Sequence, residues 1–399
     1  MVSDRPGGTV ACEGNAPQLR ILHVVPTFYP ATFFGGPIQS VYGLCNALAQ
    51  QVDLRVLTTD SAGANARDRF SVVVVPEQMP AGYDVYYCAK TSGREFSWEL
   101  LRRLGPLVRW ADVVHLTGVY SFTTIPTLLV ARVLGKPVVW SPRGALQRWP
   151  ESRRVWLKAL WDRFCRIVAP ARAILHVTSH EEGAESALRL PGLKAVMIPN
   201  GVDMPAPVSR TPSSGQLRLL FIGRLDPKKG VENLIEACRM VQGRLNRGWS
   251  LVIAGSGHSS YEGSLKACTE EKGVAGQVQF VGHVDGHRKT ALFAEADILI
   301  LPSFTENFGL VVAEALAHGV PVITSTHTPW KRVEEMQCGL WVDNDPEALV
   351  KALERMAVMP LAEMGARGRE WMRREFSWTS VARAILERYH LLADAPGGL

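Results

Sequence analysis

The stretch SFTENFGLVVAEALAHGVP, residues 303–321, decides the fold class. Asp297–Leu301 before it is a short apolar run that reads as a buried parallel strand. Val320–Thr324 at its end reads as another. Between them lie a loop holding Glu306 and a helix holding Glu314. Strand, loop, helix and strand in that order make the unit of a parallel α/β sheet.

The two carboxylates are separated by seven residues. Eight steps at 1.5 Å put them no more than ~12 Å apart along the axis. Phe308, Gly309 and Leu310 present backbone N–H groups at the helix start, where phosphate oxygens are stabilised. Gly309 lets a ligand approach the main chain. So placed, Glu306 and Glu314 can grip hydroxyls on either side of a diphosphate, as the sugar and ribose of a nucleotide sugar require. The plainer alternative is a helix cap and a solvated glutamate.

Working outward, the same alternation covers most of the chain. Candidate strands are Leu19–Val25, Asp53–Thr58, Val72–Val75, Val113–Leu116, Pro137–Trp140, Ala173–Val177 and Ala195–Ile198. After a break at Asn200–Gly215 the series restarts at Leu217–Ile222, Leu251–Ala254, Val278–Phe280, Ile298–Leu301 and Val320–Thr324. Two series predict two Rossmann-like domains facing a central cleft, with ligands at the strands' C-terminal ends. The expected division is a disordered tail over 1–17, a first domain over 18–203, a linker over 204–216, and a second domain over 217–375. A final amphipathic segment, 376–399, reads as a helix packing back across both domains.

Composition agrees with this class. At 399 residues, 47% hydrophobic and 21% charged, the chain suits two globular domains. No apolar run reaches the ~18 residues that cross a bilayer. No basic segment followed by an apolar core opens the chain, so no export signal is expected. The seven dispersed cysteines lack any C-x-x-C pair, which argues against disulfides or zinc and for a cytoplasmic setting.

The net charge of +6 is uneven. Residues 101–200 carry fifteen Lys and Arg against six Asp and Glu, a net +9. Within them, 151–169 (ESRRVWLKALWDRFCRIVA) reads as a basic amphipathic helix. Trp156, Leu160, Trp161, Phe164 and Val168 are apolar at helical spacing, and Arg153, Arg154, Lys158, Arg163 and Arg166 supply charge. Such a helix suits peripheral contact with an anionic membrane, or else a core stripe. No groove-reading or base-stacking module points to nucleic acid.

Other residues point to the cleft. In LLFIGRLDPKKGVENLIEA a strand ends at Gly223, and Arg224 and Lys229 follow. An arginine fork and a lysine point charge there suit a diphosphate and its leaving-group charge. Gly35 and Gly36 precede a helix and allow approach of phosphate or acceptor, though without a G-x-G-x-x-G fingerprint. His115 and Arg143 each follow a strand and are expected to face the cleft. Asp343-Asn344-Asp345 reads as a loop with a helix cap, and neither His176/His180 nor His283/His287 makes a metal site.

GRLDPKKG, FVGHV and SFTENFGLVVAEALAHGVPVI, in that order, resemble the retaining glycosyltransferases of family 4, the group 1 class with the GT-B fold. IPNGVD at the domain junction and the terminal FSW…Y segment extend the resemblance over nearly the whole chain. It implies that Arg224 and Lys229 hold the donor diphosphate, aided by Asn307 and the amides around Phe308–Leu310. It also implies that Glu306 contacts the donor sugar, Glu314 the ribose, and Gly282 and His283 the base. No metal cofactor is implied, and the transfer retains configuration by front-face attack. Two departures from the family pattern stand out. Thr117 occupies the second position of an H-x-H motif, leaving His115 as a candidate catalytic residue. Arg143 replaces the histidine of Pro-His-Gly, so Arg143 and Thr117 are expected at the acceptor, with Arg143 facing an acidic sugar or phosphate. The expected function is transfer of a sugar from a nucleoside-diphosphate sugar to a lipid-linked surface glycan. A nucleotide-sugar epimerase and a non-catalytic binding protein are the alternatives.

Overall fold

The computed structural model describes residues 18–31, 36–63, 67–72, 75–93, 95–147, 155–207 and 215–395. The expected tail over 1–17, Gly35, Arg153, Arg154 and most of the 204–216 linker lie outside these residues.

Two sheets carry the fold. The first has eight strands: β1 (Arg20–Thr27), β2 (Asp53–Thr59), β3 (Glu77–Gln78), β4 (Asp84–Cys88), β5 (Val113–Thr117), β6 (Val138–Ser141), β7 (Ala173–Val177) and β8 (Lys194–Met197). Their spatial order is β3-β4-β2-β1-β5-β6-β7-β8. All pairings are parallel except that of β3 with β4. The second sheet is wholly parallel, with β9 (Gln216–Ile222), β10 (Gly248–Ala254), β11 (Val278–Gly282), β12 (Ile298–Leu301), β13 (Val322–Ser325) and β14 (Gly339–Val342). Its order is β11-β10-β9-β12-β13-β14. Inner strands such as VVHLT and ILIL are buried at every position, which is why they read as unbroken apolar runs.

Of the strand expected at Val72–Val75, only the two end residues are among the described residues. Val72 and Val75 are unpaired in any sheet, and residues 73 and 74 lie outside the described residues. β4, with sequence DVYYC and burial that alternates from Asp84 to Tyr87, pairs in parallel with β2.

Helices cover both faces of the first sheet. One layer packs Trp98–Trp110, Thr124–Val133 and Val155–Val168 through Leu100, Leu104, Leu128 and Cys165. The other holds Gly36–Leu48 and, from the far end of the chain, Trp378–Asp394, through Leu44, Cys45, Ile385 and Tyr389. The last helix therefore completes the first domain's core. It enters beside the junction, where Val202 N–H donates to the Phe376 carbonyl at 2.8 Å. The Trp378 indole donates to Asp203 at 2.8 Å. Its ring fills the space that side chains at Gly43 and Gly201 would need.

The amphipathic helix divides its apolar residues differently from the expected single stripe. Val168 is buried and Trp161 packs on the core, while Trp156 is 70% exposed and Leu160 61%. Leu157, Phe164 and Ile167 are exposed beside them, and Leu129 and Val133 are exposed on the neighbouring helix. On the outer surface of this layer Arg102, Arg109, Arg132, Arg163 and Arg166 are exposed. Its two acids are engaged: Glu99 pairs with Arg103 at 2.9 Å, and buried Asp162 accepts from the Tyr120 hydroxyl at 2.9 Å. Among the described residues no helix is long and apolar enough to cross a membrane.

Candidate active site

In the second sheet the chain runs outward in one direction through β9, β10 and β11 and in the other through β12, β13 and β14. The crevice where β9 meets β12 is the topological switch point, the usual ligand position in such sheets. Arg224 and Lys229 follow β9, and Glu306 follows β12, so all three converge there. Lys229 forms an ion pair with Glu306, with side chains 14% and 13% exposed. Ser303 donates a further hydrogen bond to Glu306 at 2.9 Å. Arg224 is exposed and makes no ion pair or side-chain hydrogen bond among the described residues.

Two helix starts frame this pair. Gly230, with φ of 64°, links the short turn Pro227–Lys229 to the helix Val231–Val241. A Cβ there would lie 2.2 Å from the Pro302 carbonyl oxygen. Only glycine lets the Lys229 turn and the Ser303–Glu306 loop sit so close. Gly309, with φ of 72°, begins the helix Leu310–Ala317, and Trp330 donates to the Phe308 carbonyl behind it. Phe308 is buried against Trp330 and Phe376, so its amide is the part available to a ligand.

Glu314 lies within that helix and binds Lys289 through both oxygens at 2.6 Å. Burial pushes its carboxyl up from the ordinary range, and the Lys289 ammonium opposes this. Sequence reasoning missed Lys289, because a lone lysine in GHRKTALF gives no sign of a partner 25 residues away. Gly282 ends β11 with φ of 72°, and His283 beside it is exposed on the same edge. Gly223 lies just past the end of β9 at Ile222 and before Arg224. Asn307 does not face this crevice alone: its amide donates to Thr178 of the first domain at 3.3 Å.

In the first domain, Gly36 opens a helix after β1 and has open space where a side chain would stand. His115 is not in the cleft, contrary to expectation. It is fully buried, and a chain of hydrogen bonds fixes its protons. The Ile198 carbonyl must accept from His176 Nε2 at 3.0 Å, so His176 Nδ1 accepts from Ser141 at 2.8 Å. Ser141 then accepts from His115 Nε2 at 2.7 Å, and His115 Nδ1 accepts from the Tyr389 hydroxyl at 2.5 Å. Every ring nitrogen in the chain is used with both histidines neutral. Thr117 is also corrected. It is 5% exposed, and its hydroxyl meets His23 Nε2 at 2.9 Å. Arg143, with φ of 54°, turns its guanidinium toward Asn200 beneath the loop. Burial lowers its pKa, with the Glu182 carboxylate opposing.

Burial holds His23 and His176 down to about 3, and His115 well below its ordinary value. The unfolded chain binds protons at these sites below about pH 6.5 while the native state does not. Stability is therefore full above that value and is lost as pH falls toward 3. Each histidine contributes up to about 1.4 kcal/mol per pH unit in this window. Thermal unfolding at pH 5 is expected well below that at pH 7, and a flat profile would contradict the neutral network.

Asp345 caps the helix Pro346–Ala357 by accepting from Ala348 N–H at 2.9 Å. Among the described residues no group of three His, Cys, Asp or Glu side chains is placed to hold a metal ion.

A family model described as glycosyl transferases group 1 matches residues 208–371, and one described as glycosyltransferase family 4 matches residues 34–204. A GDP-mannose:cellobiosyl-diphosphopolyprenol alpha-mannosyltransferase of Xanthomonas oryzae is 27% identical over 93% of this chain and 97% of its own length. Among solved structures, sucrose-phosphate synthase from Thermosynechococcus elongatus is similar with a TM-score of 0.70 and 21% identity, covering 94% of this chain and 99% of that one. HepE of Anabaena in complex with UDP has a TM-score of 0.72 and 16% identity, covering 94% and 100%. At these identities the two structures establish the GT-B fold alone.

Proposed function

The chain belongs to the group 1 class of glycosyltransferase family 4, and from that premise we propose that it is a retaining enzyme moving a sugar from a nucleoside-diphosphate donor to a lipid-linked glycan. One observation carries the donor half: Arg224, exposed and without an ion pair among the described residues, follows β9 in the same segment as Lys229, which pairs with Glu306 at the switch point of the second sheet. The guanidinium and ammonium neutralise charge building on the departing diphosphate, together with the Leu310 helix start. Glu306 accepts hydrogen bonds from donor-sugar hydroxyls, and Glu314, steadied by Lys289, accepts from the ribose. Charge neutralisation rests on these side chains, with no metal assigned.

In the transfer, the bond from the anomeric carbon to the phosphate oxygen breaks. The acceptor oxygen bonds that carbon from the same face, and its proton passes to the departing phosphate. No protein base is required, in keeping with the burial of His115. GDP-mannose and UDP-glucose, each supplied with a polyprenyl-diphosphate oligosaccharide, test this by product NMR. An α-linked product from an α-donor is expected, and a β-linked product would overturn it.

The acceptor half rests on the layer holding Val155–Val168. Its exposed apolar side chains between exposed arginines match an interface of anionic lipid headgroups. Each arginine near such a surface adds about 1 kcal/mol. The Xanthomonas relative's named acceptor is itself a diphosphopolyprenol. We expect vesicles of phosphatidylglycerol and phosphatidylcholine to retain the protein at low salt. Trp156→Glu with Phe164→Glu should weaken retention more than about tenfold by removing buried apolar surface. Equal retention of both proteins would end the membrane assignment.

A further inference from the structure

Asn307 follows Glu306 directly in the second domain, yet its side chain seats in the first. Its Nδ2 donates to Thr178 Oγ1 at 3.3 Å, across 129 residues of sequence. The Thr178 hydroxyl donates in turn to Glu182 Oε2 at 2.8 Å. That oxygen also accepts from Thr178 N–H at 2.7 Å, and Glu182 Oε1 accepts from Gly144 N–H at 2.5 Å. Glu182 is fully buried, in the first turn of the helix His180–Arg189, where Ser179 caps its N–H at 3.1 Å. One desolvated carboxylate thus fixes two loops, those after β6 and β7. Gly144, with φ of 78°, supplies the remaining wall, because a Cβ there would lie 2.8 Å from Asn307 Cβ.

The direction of these bonds matters. Glu182 only accepts, so the Thr178 hydroxyl must give its proton to Glu182 and can only accept from Asn307. Chained bonds of this kind strengthen one another in a water-poor site. We propose that Asn307, Thr178 and Glu182 form a relay that holds Glu306 in its transfer geometry when the two domains meet. Asn307 and Thr178 are then positioning residues. Glu306 is one peptide unit from Asn307, and its own carboxylate is already held by Lys229 and Ser303. Domain closure and placement of the donor-sugar carboxylate become a single event. This rests on the assignment of Glu306 to the donor sugar.

The test is a double-mutant cycle on kcat for nucleoside-diphosphate release from GDP-mannose and UDP-glucose, using the full chain. Thr178→Val keeps shape and the backbone bond to Glu182 while removing the hydroxyl. Thr178→Val and Asn307→Ala should each lower kcat about tenfold with donor KM within about threefold. The double variant should also fall about tenfold rather than about a hundredfold, because the Asn307–Thr178 bond, through which both changes act on Glu306, is already lost in either single variant. Thr178→Ser should restore kcat to within about twofold of wild type. Losses that multiply, a Thr178→Val enzyme at the wild-type rate, or a serine variant as slow as the valine one would overturn the relay. If Thr178→Val unfolds, Asn307→Ala measured in the Thr178→Ser background decides the same question: a tenfold loss supports the relay, and the unchanged rate overturns it. Glu306→Gln in the same assay separates the two readings. Full activity there removes the role of Glu306, whereas loss there with no effect at Thr178 removes only the relay.

Discussion

Lys229→Ala and Glu306→Gln are each expected to lower kcat by about 10²–10³-fold while the protein stays folded. Losing one charged donor preorganised at a developing negative charge costs about 3–4 kcal/mol of transition-state stabilisation. Lys229 is such a donor, largely shielded from water and in the same segment after β9 as Arg224. Removing it also leaves Glu306 with only the Ser303 hydroxyl, so an uncompensated carboxylate faces the diphosphate. Because the two side chains act as a pair, the double variant should lose little more than the worse single one. Activity within twofold of wild type in either single variant would contradict the assigned roles.

The second large effect is expected at Gly230. An alanine there costs about 1–2 kcal/mol for left-handed backbone. It also drives a methyl group to 2.2 Å from the Pro302 carbonyl oxygen, which is backbone and cannot rotate away. Relief of such overpacking costs about 1–3 kcal/mol more. The sum, on the order of 3 kcal/mol, corresponds to a Tm drop of about 6–12 °C for a domain of this size. Transfer should fall with it, because the backbone that gives way carries Lys229 and the approach to Glu306. Gly273→Ala is the control. Its φ is 68° with nothing within 4 Å, so it carries the backbone cost without the collision. Equal Tm values for the two variants would show that the close approach does not matter.

Much of the second domain was legible in the chain. Strands β9, β10 and β12 carry the apolar runs LLFI, LVIA and ILIL, although β14 (GLWV) is not among the strands expected from sequence. Arg224, Lys229 and Glu306 follow strands and Glu314 lies in the next helix, where local spacing alone puts them on one edge. The first domain was harder for identifiable reasons. β4 reads DVYYC, in which two tyrosines take the place of an aliphatic run. Period-two spacing puts His115 and Thr117 on one face of β5, but only the fold shows what covers that face. The Tyr389 hydroxyl that meets His115 comes from 274 residues away. The seat of Asn307 on Thr178 is likewise formed by two domains that local patterns treat separately. In Val155–Val168 helical spacing found the apolar residues, yet which of them meet the core depends on the neighbouring helix. The structure turns Trp161 and Val168 inward and Trp156, Leu160 and Phe164 out.

The most direct measurement is a crystal structure of the protein soaked with GDP or UDP. The diphosphate oxygens are expected within hydrogen-bond reach of Arg224, Lys229 and the Leu310 amide, with ribose hydroxyls on Glu314. A nucleotide bound elsewhere, with Arg224 and Lys229 turned from it, would contradict a donor site at the β9–β12 crevice.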